Sequence, residues 1–313
     1  MDIALKILPV FIVIFLGAGA KRLGFYPDVF IKGANHLVFY IAIPALLFIK
    51  LSQASFSDTF DLNLALISCL SVFFVWLLSI IFSVLGVFSP LGHESSGSFV
   101  QTAMHGNIGY IGLAIVFYTL GDNGLGIASF LAPFIMISQT ILSILSYNIF
   151  SKGHKNFLKS LLNILKGISI NPIIVSALIG MIFSFCNLKL PGFVNNSLKI
   201  VSDMALPMAL LIIGASLSLS LSPRYLIWLF SSSALKLLLL PGIGMFLLHK
   251  GGIPSFSIQV AVTMLAVPTA TVSVVMSGEM GGNVKFASSA VTISTFLFII
   301  TICIWNYIMG SIL

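Results

Sequence analysis

The chain has 313 residues, of which 58% are hydrophobic and 7% charged, with a net charge of +7. A soluble domain carries about 25% charged residues, so this chain could not cover a water-facing surface and reads as an all-α integral membrane protein. The positive excess, which in a soluble chain would point to nucleic acid, fits loops facing an anionic leaflet; the bilayer is the expected partner and nucleic acid is not.

A membrane-spanning helix needs about 20 apolar residues. Ten segments meet that requirement, at 4–20, 33–52, 62–88, 96–120, 124–150, 167–186, 196–219, 225–248, 256–278 and 284–311. The first ends in Lys21-Arg22 without a small-residue cleavage site, so it reads as a spanning helix and not as a signal peptide. The polar stretch 151–166 reads as a solvated linker between residues 1–150 and 167–313. Lys21, Arg22, Lys32, Lys152, Lys155, Lys159, Lys166, Arg224 and Lys285 fall on the side of that linker, against Lys6, Lys50, Lys189, Lys199 and Lys250 on the other. The excess of positive charge places the linker in the cytoplasm and both termini outside a bacterial inner membrane.

Pro9 and Pro172, Gly17 and Gly180, and Pro44 and Pro207 each lie 163 residues apart; Pro27 with Pro191 and Pro90 with Pro254 follow one step out of register. The chain is therefore expected to hold two copies of one unit. Five helices per copy is an odd number, so the second copy enters the membrane upside down: a 5+5 inverted repeat, an architecture common among secondary transporters. In the fourth and ninth segments the register is expected to slip to about 158, with Gln101 aligned on Gln259 and Tyr110 opposite Pro268.

Chemistry is expected where helices break, because irregular backbone in a membrane survives only when buried in protein or lining a wet cavity. The fourth segment carries His105-Gly106-Asn107-Ile108-Gly109-Tyr110-Ile111-Gly112, a poor helix; the ninth carries Val267-Pro268-Thr269-Ala270-Thr271, where Pro268 has no N–H to give. Paired breaks offer helix N-termini to a carboxylate and freed carbonyls to a cation. Asn107 can both donate and accept, and Thr269 and Thr271 add hydroxyls. The competing reading of the glycines is close helix packing. Lys236 sits in mid-membrane, as a counter-charge for a substrate or as a lysine bonded to carbonyls of a broken helix. Gln139 is a polar partner for the site. His105 and His36 read as core or interface histidines, and Asp203 as a residue of the frame. Asp58, Asp61, Glu94, Asp122 and Glu279 fall at helix ends. Cys69, Cys186 and Cys303 have neither metal nor redox spacing. No metal site and no cofactor are expected. His93-Glu94-Ser95-Ser96-Gly97 lacks the second histidine of a zinc protease helix, and there is neither a Walker loop nor a nucleophile elbow, so an enzyme is not expected.

Tyr40-Ile-Ala-Ile-Pro-Ala-Leu-Leu-Phe48, Gly106-Asn-Ile-Gly-Tyr-Ile-Gly-Leu113, Leu235-Lys-Leu-Leu-Leu-Leu-Pro241, Ala266-Val-Pro-Thr-Ala270 and Ser277-Gly-Glu-Met280 occur in this order along the chain. With them the chain resembles the auxin efflux carrier family, which includes the plant PIN proteins and bacterial malonate-type carriers. The resemblance implies a fold like that of sodium/bile-acid symporters and NhaA-type antiporters. Helices one, two, six and seven (1–55 and 167–220) would form a scaffold that dimerises through helices two and seven, with Pro44, Pro207 and Asp203 in it. Residues 60–150 and 224–313 would form a transport domain in which broken helices four and nine cross. It implies elevator-type transport, with efflux the expected direction, of small organic anions held at Asn107, Ile108, Gly109, Pro268, Thr269 and Ala270. Lys236, Gln139, His105 and Glu279 would be the polar support or coupling groups. Many bacterial members carry Arg at His105 and Pro at Ala114, and the acid that plant carriers hold in helix three has no counterpart here, which leaves open whether protons, sodium or neither drive transport. A channel or a membrane receptor built on a transporter fold is the alternative.

Overall fold

The computed structural model describes residues 2–55, 60–85, 92–150, 167, 169–217 and 223–312. Asp58, Pro90 and the linker 151–166 lie outside the described residues. Among those described, the regular structure is helical apart from one isolated antiparallel bridge. Six helical stretches are long and apolar enough to cross a membrane: Asp28–Gln53, Leu62–Leu85, Ile108–Ile149, Gly192–Ser216, Leu226–Lys250 and Val284–Ile312.

In chain order the helices are α1 (Asp2–Arg22), α2 (Asp28–Leu37), α3 (Ile43–Gln53), α4 (Leu62–Leu85), α5 (His93–Met104), α6 (Leu113–Ile149), α7 (Pro172–Phe185), α8 (Gly192–Asp203), α9 (Ala205–Ser216), α10 (Leu226–Ala234), α11 (Leu240–Lys250), α12 (Ser255–Leu265), α13 (Val272–Met280) and α14 (Val284–Ile312). Several of their hydroxyls are folded back on the helix itself. Ser68, Ser146 and Thr295 donate to the carbonyls of Leu64, Leu142 and Val291 four residues earlier, which satisfies a polar group in an apolar setting.

Two of the irregular turns accompany prolines, whereas Pro9 and Pro133 lie inside helices without ending them. A π-helical turn over Val38–Ala42 precedes Pro44, and another over Leu235–Leu239 precedes Pro241. Proline removes the N–H that the carbonyl four residues back would use, and the helix widens locally to absorb the mismatch. The second, seventh and eighth segments are therefore interrupted as well as the fourth and ninth; in the seventh the interruption falls at Asp203-Met204, between α8 and α9. Asp203 ends α8 and is exposed, and Pro207 is exposed on α9.

The 163-residue echo persists in the helix ends. α1 and α7 stop at Arg22 and Phe185, α3 and α9 at Gln53 and Ser216, and α6 and α14 at Ile149 and Ile312. α6 kinks at Gly121, whose φ of 69° only glycine adopts without strain. The turn between α13 and α14 carries Gly281 at φ 75°.

The chain divides into two compact units. Unit 1 holds residues 1–62, 109–134 and 167–216, so it includes 109–134 from segments four and five. In it α1 crosses α9 at backbone contact: a Cβ on Gly17 would overlap the Leu211 carbonyl oxygen, and one on Gly214 that of Ile14. α7 meets α3 likewise, with Gly180 against Leu51 and Phe48. Leu211 and Phe48 are themselves 163 apart, so the two crossings interchange under the same shift. Tyr110 donates to Asn35 Oδ1 at 2.8 Å, and Lys50 pairs with Asp122. Unit 2 holds residues 63–108, 135–166 and 217–313. There Trp76 Nε1 donates to Ser146 Oγ at 2.9 Å, and Phe99 packs edge-on against Trp228.

Candidate functional site

The breaks in segments four and nine meet in unit 2. α5 ends at Met104 and α12 at Leu265, and the chain beyond each is non-helical for a few residues. These two stretches pair with each other. Asn107 N–H donates to the Pro268 carbonyl at 2.9 Å, and Ala270 N–H to the His105 carbonyl at 3.0 Å, on either side of the Gly106–Thr269 bridge. Gly106 and Thr269 are 163 apart, and adding 163 to Asn107 and subtracting it from Pro268 turns the first bond into the second. The expected slip to 158 is thus corrected: Gly106, not Tyr110, stands opposite the Pro268-Thr269 break. Aligning the two glutamines misplaced it, because they do not hold equivalent positions.

Two broken helices leave carbonyls without partners at their C-terminal ends. Here neighbouring side chains cap them. Gln139 Nε2 donates to the Met104 carbonyl at 3.1 Å, Thr269 Oγ1 to the Thr102 carbonyl at 2.9 Å, and Lys236 Nζ to the Leu265 carbonyl at 2.6 Å. Lys236 is 0% exposed, and its ammonium sits at the negative end of the α12 dipole. That is the carbonyl-bonded placement of a lysine at a broken helix. Gly106 makes room for it: a Cβ there would lie 2.8 Å from Lys236 Cε and 3.0 Å from Nζ. His105 is buried, with Nδ1 2.8 Å from Ser143 Oγ. Ser143 gives its own proton to the Gln139 carbonyl, so the imidazole donates from Nδ1.

The amides within the breaks are not free, contrary to the simplest expectation for helix N-termini. Those of Asn107 and Ala270 are used in the bridge, that of Thr269 goes to Ser294 Oγ, and that of Ile108 to the Gly106 carbonyl. What remains are side-chain groups: Asn107 is 7% exposed and its Nδ2 donor has no partner, and the buried Oε1 of Gln139 is an acceptor without one. Among the described residues no Asp or Glu is buried, so the Lys236 ammonium has no buried acid to balance it. The arrangement presents positive charge and a spare donor, the complement of an anion. Glu279, by contrast, lies exposed on α13. Ile108 and Gly109 begin the π-helical turn Ile108–Gly112 that leads into α6. Among the described residues no cluster of His, Cys, Asp or Glu could hold a metal ion. Ser143, Thr102 and Ser294 escaped the sequence reading, since a serine or threonine in an apolar helix gives no sign of which carbonyl or amide it will meet.

The model of the membrane transport protein family, the auxin efflux carriers, matches residues 2–306. The chain belongs to this family. A second comparison, with curated proteins, gives relatives of the same length. The carrier is 26% identical over 320 residues to an uncharacterized transporter of Methanocaldococcus jannaschii, covering 99% of this chain and 98% of the relative. It is 25% identical over 307 residues, 97% and 95% of the two chains, to a protein of Rhizobium meliloti named "Putative malonate transporter". An uncharacterized transporter of Methanothermobacter thermautotrophicus matches at 25% over 317 residues, 97% of each chain. This carrier is accordingly a multi-pass membrane transporter and not an enzyme.

Proposed function

We propose that the protein is a secondary carrier for a small organic anion, a mono- or dicarboxylate, bound at the crossover of the fourth and ninth segments. The carrying observation is a buried lysine on the α12 terminus beside the unpartnered Asn107 Nδ2, with no buried acid among the described residues to balance them. A carboxylate completes such a set. The name of the Rhizobium relative makes malonate the first compound to try. The helix ends, the glycine crossings and the bridge bonds, all related by 163 residues, support ten helices in a 5+5 inverted repeat. The charge count supports a cytoplasmic linker and outside termini, and the residues of its Lys50–Asp122 pair fall in segment ends assigned to one side. An elevator-type motion, with the body that bears the crossover carrying the anion, export as its direction, and a homodimer through segments two and seven belong to the same reading.

The test is counterflow of labelled malonate, and of a panel of carboxylates, into liposomes containing the purified protein. Asn107→Ala abolishes uptake while the protein stays folded. Lys236→Gln keeps a donor for the Leu265 carbonyl but removes the charge; its affinity falls about tenfold, equivalent to about 1.4 kcal/mol. Full uptake by folded Asn107→Ala protein would remove the crossover as the site.

A further inference from the structure

Beyond the crossover, α5 and α13 are joined by a ladder of polar contacts that ends in one residue the proposed mechanism does not use. Thr269 meets the Thr102 carbonyl, Gln101 Nε2 donates to Ser273 Oγ at 2.9 Å, and Ser98 Oγ lies 3.3 Å from Ser277 Oγ. Ser273 and Ser277 lie four residues apart on one face of α13, and Thr269 stands four residues before Ser273 in the break. At the far end stands Asn283, in the turn between α13 and α14. Its N–H is shared between the Glu94 carbonyl at 3.1 Å and Ser98 Oγ at 2.8 Å. Its Nδ2 donates to Ser95 Oγ at 2.9 Å and to the Tyr225 hydroxyl at 3.1 Å, while its Oδ1 accepts from Phe286 N–H and starts α14. The turn is pressed against its neighbours: a Cβ on Gly282 would lie 2.5 Å from Tyr147 Cε1 and 2.7 Å from Ser98 Oγ.

We propose that Asn283 is a positioning residue that latches the α13–α14 turn onto the start of α5 and so sets the register in which the crossover presents Asn107. The inference rests on the crossover being the anion site. Between helices in a membrane there is no hydrophobic driving force, so close packing and side-chain hydrogen bonds decide register. α5 spans about 16 Å from Glu94 to His105. It is held to the α12–α13 connection at one end by the Gly106–Thr269 bridge and to the α13–α14 turn at the other by Asn283. A slip of α13 by one residue would shift it about 1.5 Å and rotate it by about 100°, taking Thr269 off Thr102 and opening the bridge that orients Asn107.

The test removes the latch partners and spares the α14 cap: Ser95→Ala combined with Tyr225→Phe. Amide hydrogen exchange at Asn107 and Ala270 is expected to speed up at least tenfold, with exchange around Gly17 and Gly214 unchanged. In malonate counterflow the half-saturating concentration rises severalfold while the maximal rate per folded molecule changes less. Unchanged exchange at Asn107 and Ala270, or a fall in maximal rate alone, overturns the latch. A wrong assignment of the anion site fails separately, in the Asn107→Ala counterflow, and leaves the exchange result standing.

Discussion

Gly106 carries more of the site than its lack of a side chain suggests. It stands in the bridge opposite Thr269, and the stem of Lys236 passes within contact of where a Cβ would be, with Val267 Cγ2 at 3.0 Å on another side. Lys236 cannot simply swing away, because its ammonium is committed to the Leu265 carbonyl. Gly106→Ala is therefore expected to cost about 1–3 kcal/mol by overpacking, read as a lower melting temperature in detergent, and to impair transport. Gly106→Ala combined with Lys236→Ala is expected to be less destabilised than the sum of the two single variants, since the shortened side chain vacates the space. Strict additivity would mean that the two residues do not compete for it.

At the scale of elements, the irregular turn before Pro241 is traceable to a missing donor and to what replaces it. Pro241 cannot donate to the Leu237 carbonyl, and the indole Nε1 of Trp305 on α14 takes that carbonyl at 2.8 Å. The π-helical turn just before Pro241 is the one that carries Lys236. Trp305→Phe keeps most of the packing and leaves a buried carbonyl unpaired, at an expected cost of about 1–3 kcal/mol. Pro241→Ala in the same chain returns a backbone N–H and should recover part of that loss. Thermal unfolding of the two variants and of their combination measures the coupling, and no recovery would mean that the indole serves packing alone. The proline and the tryptophan are both visible in the sequence, but 64 residues separate them and nothing in either marks the other as its partner.

At the scale of the whole molecule, orientation is the property most open to a direct test. Cys186, after α7, is exposed, while Cys69 and Cys303 are partly buried within spanning helices. With the linker in the cytoplasm, the turn that holds Cys186 faces outward. A membrane-impermeant maleimide is expected to label intact cells at this residue, and Cys186→Ser to abolish the labelling. Labelling that requires permeabilised cells would reverse the topology.

Composition alone decided the environment, because a chain with 7% charged residues has too few to face water. The proline and glycine echo raised the expectation of a duplication, because those two residue types mark where a backbone must bend or come close. The breaks at Asn107 and Pro268 were legible for the same reason. What only tertiary structure decided is how the breaks are satisfied. The bridge register, the capping of Met104 by Gln139 and of Leu265 by Lys236, and the latch at Asn283 all join residues far apart in the chain. A freed carbonyl is predictable from a proline, but its new partner is whichever donor the packing brings within about 3 Å, and no local pattern records that choice.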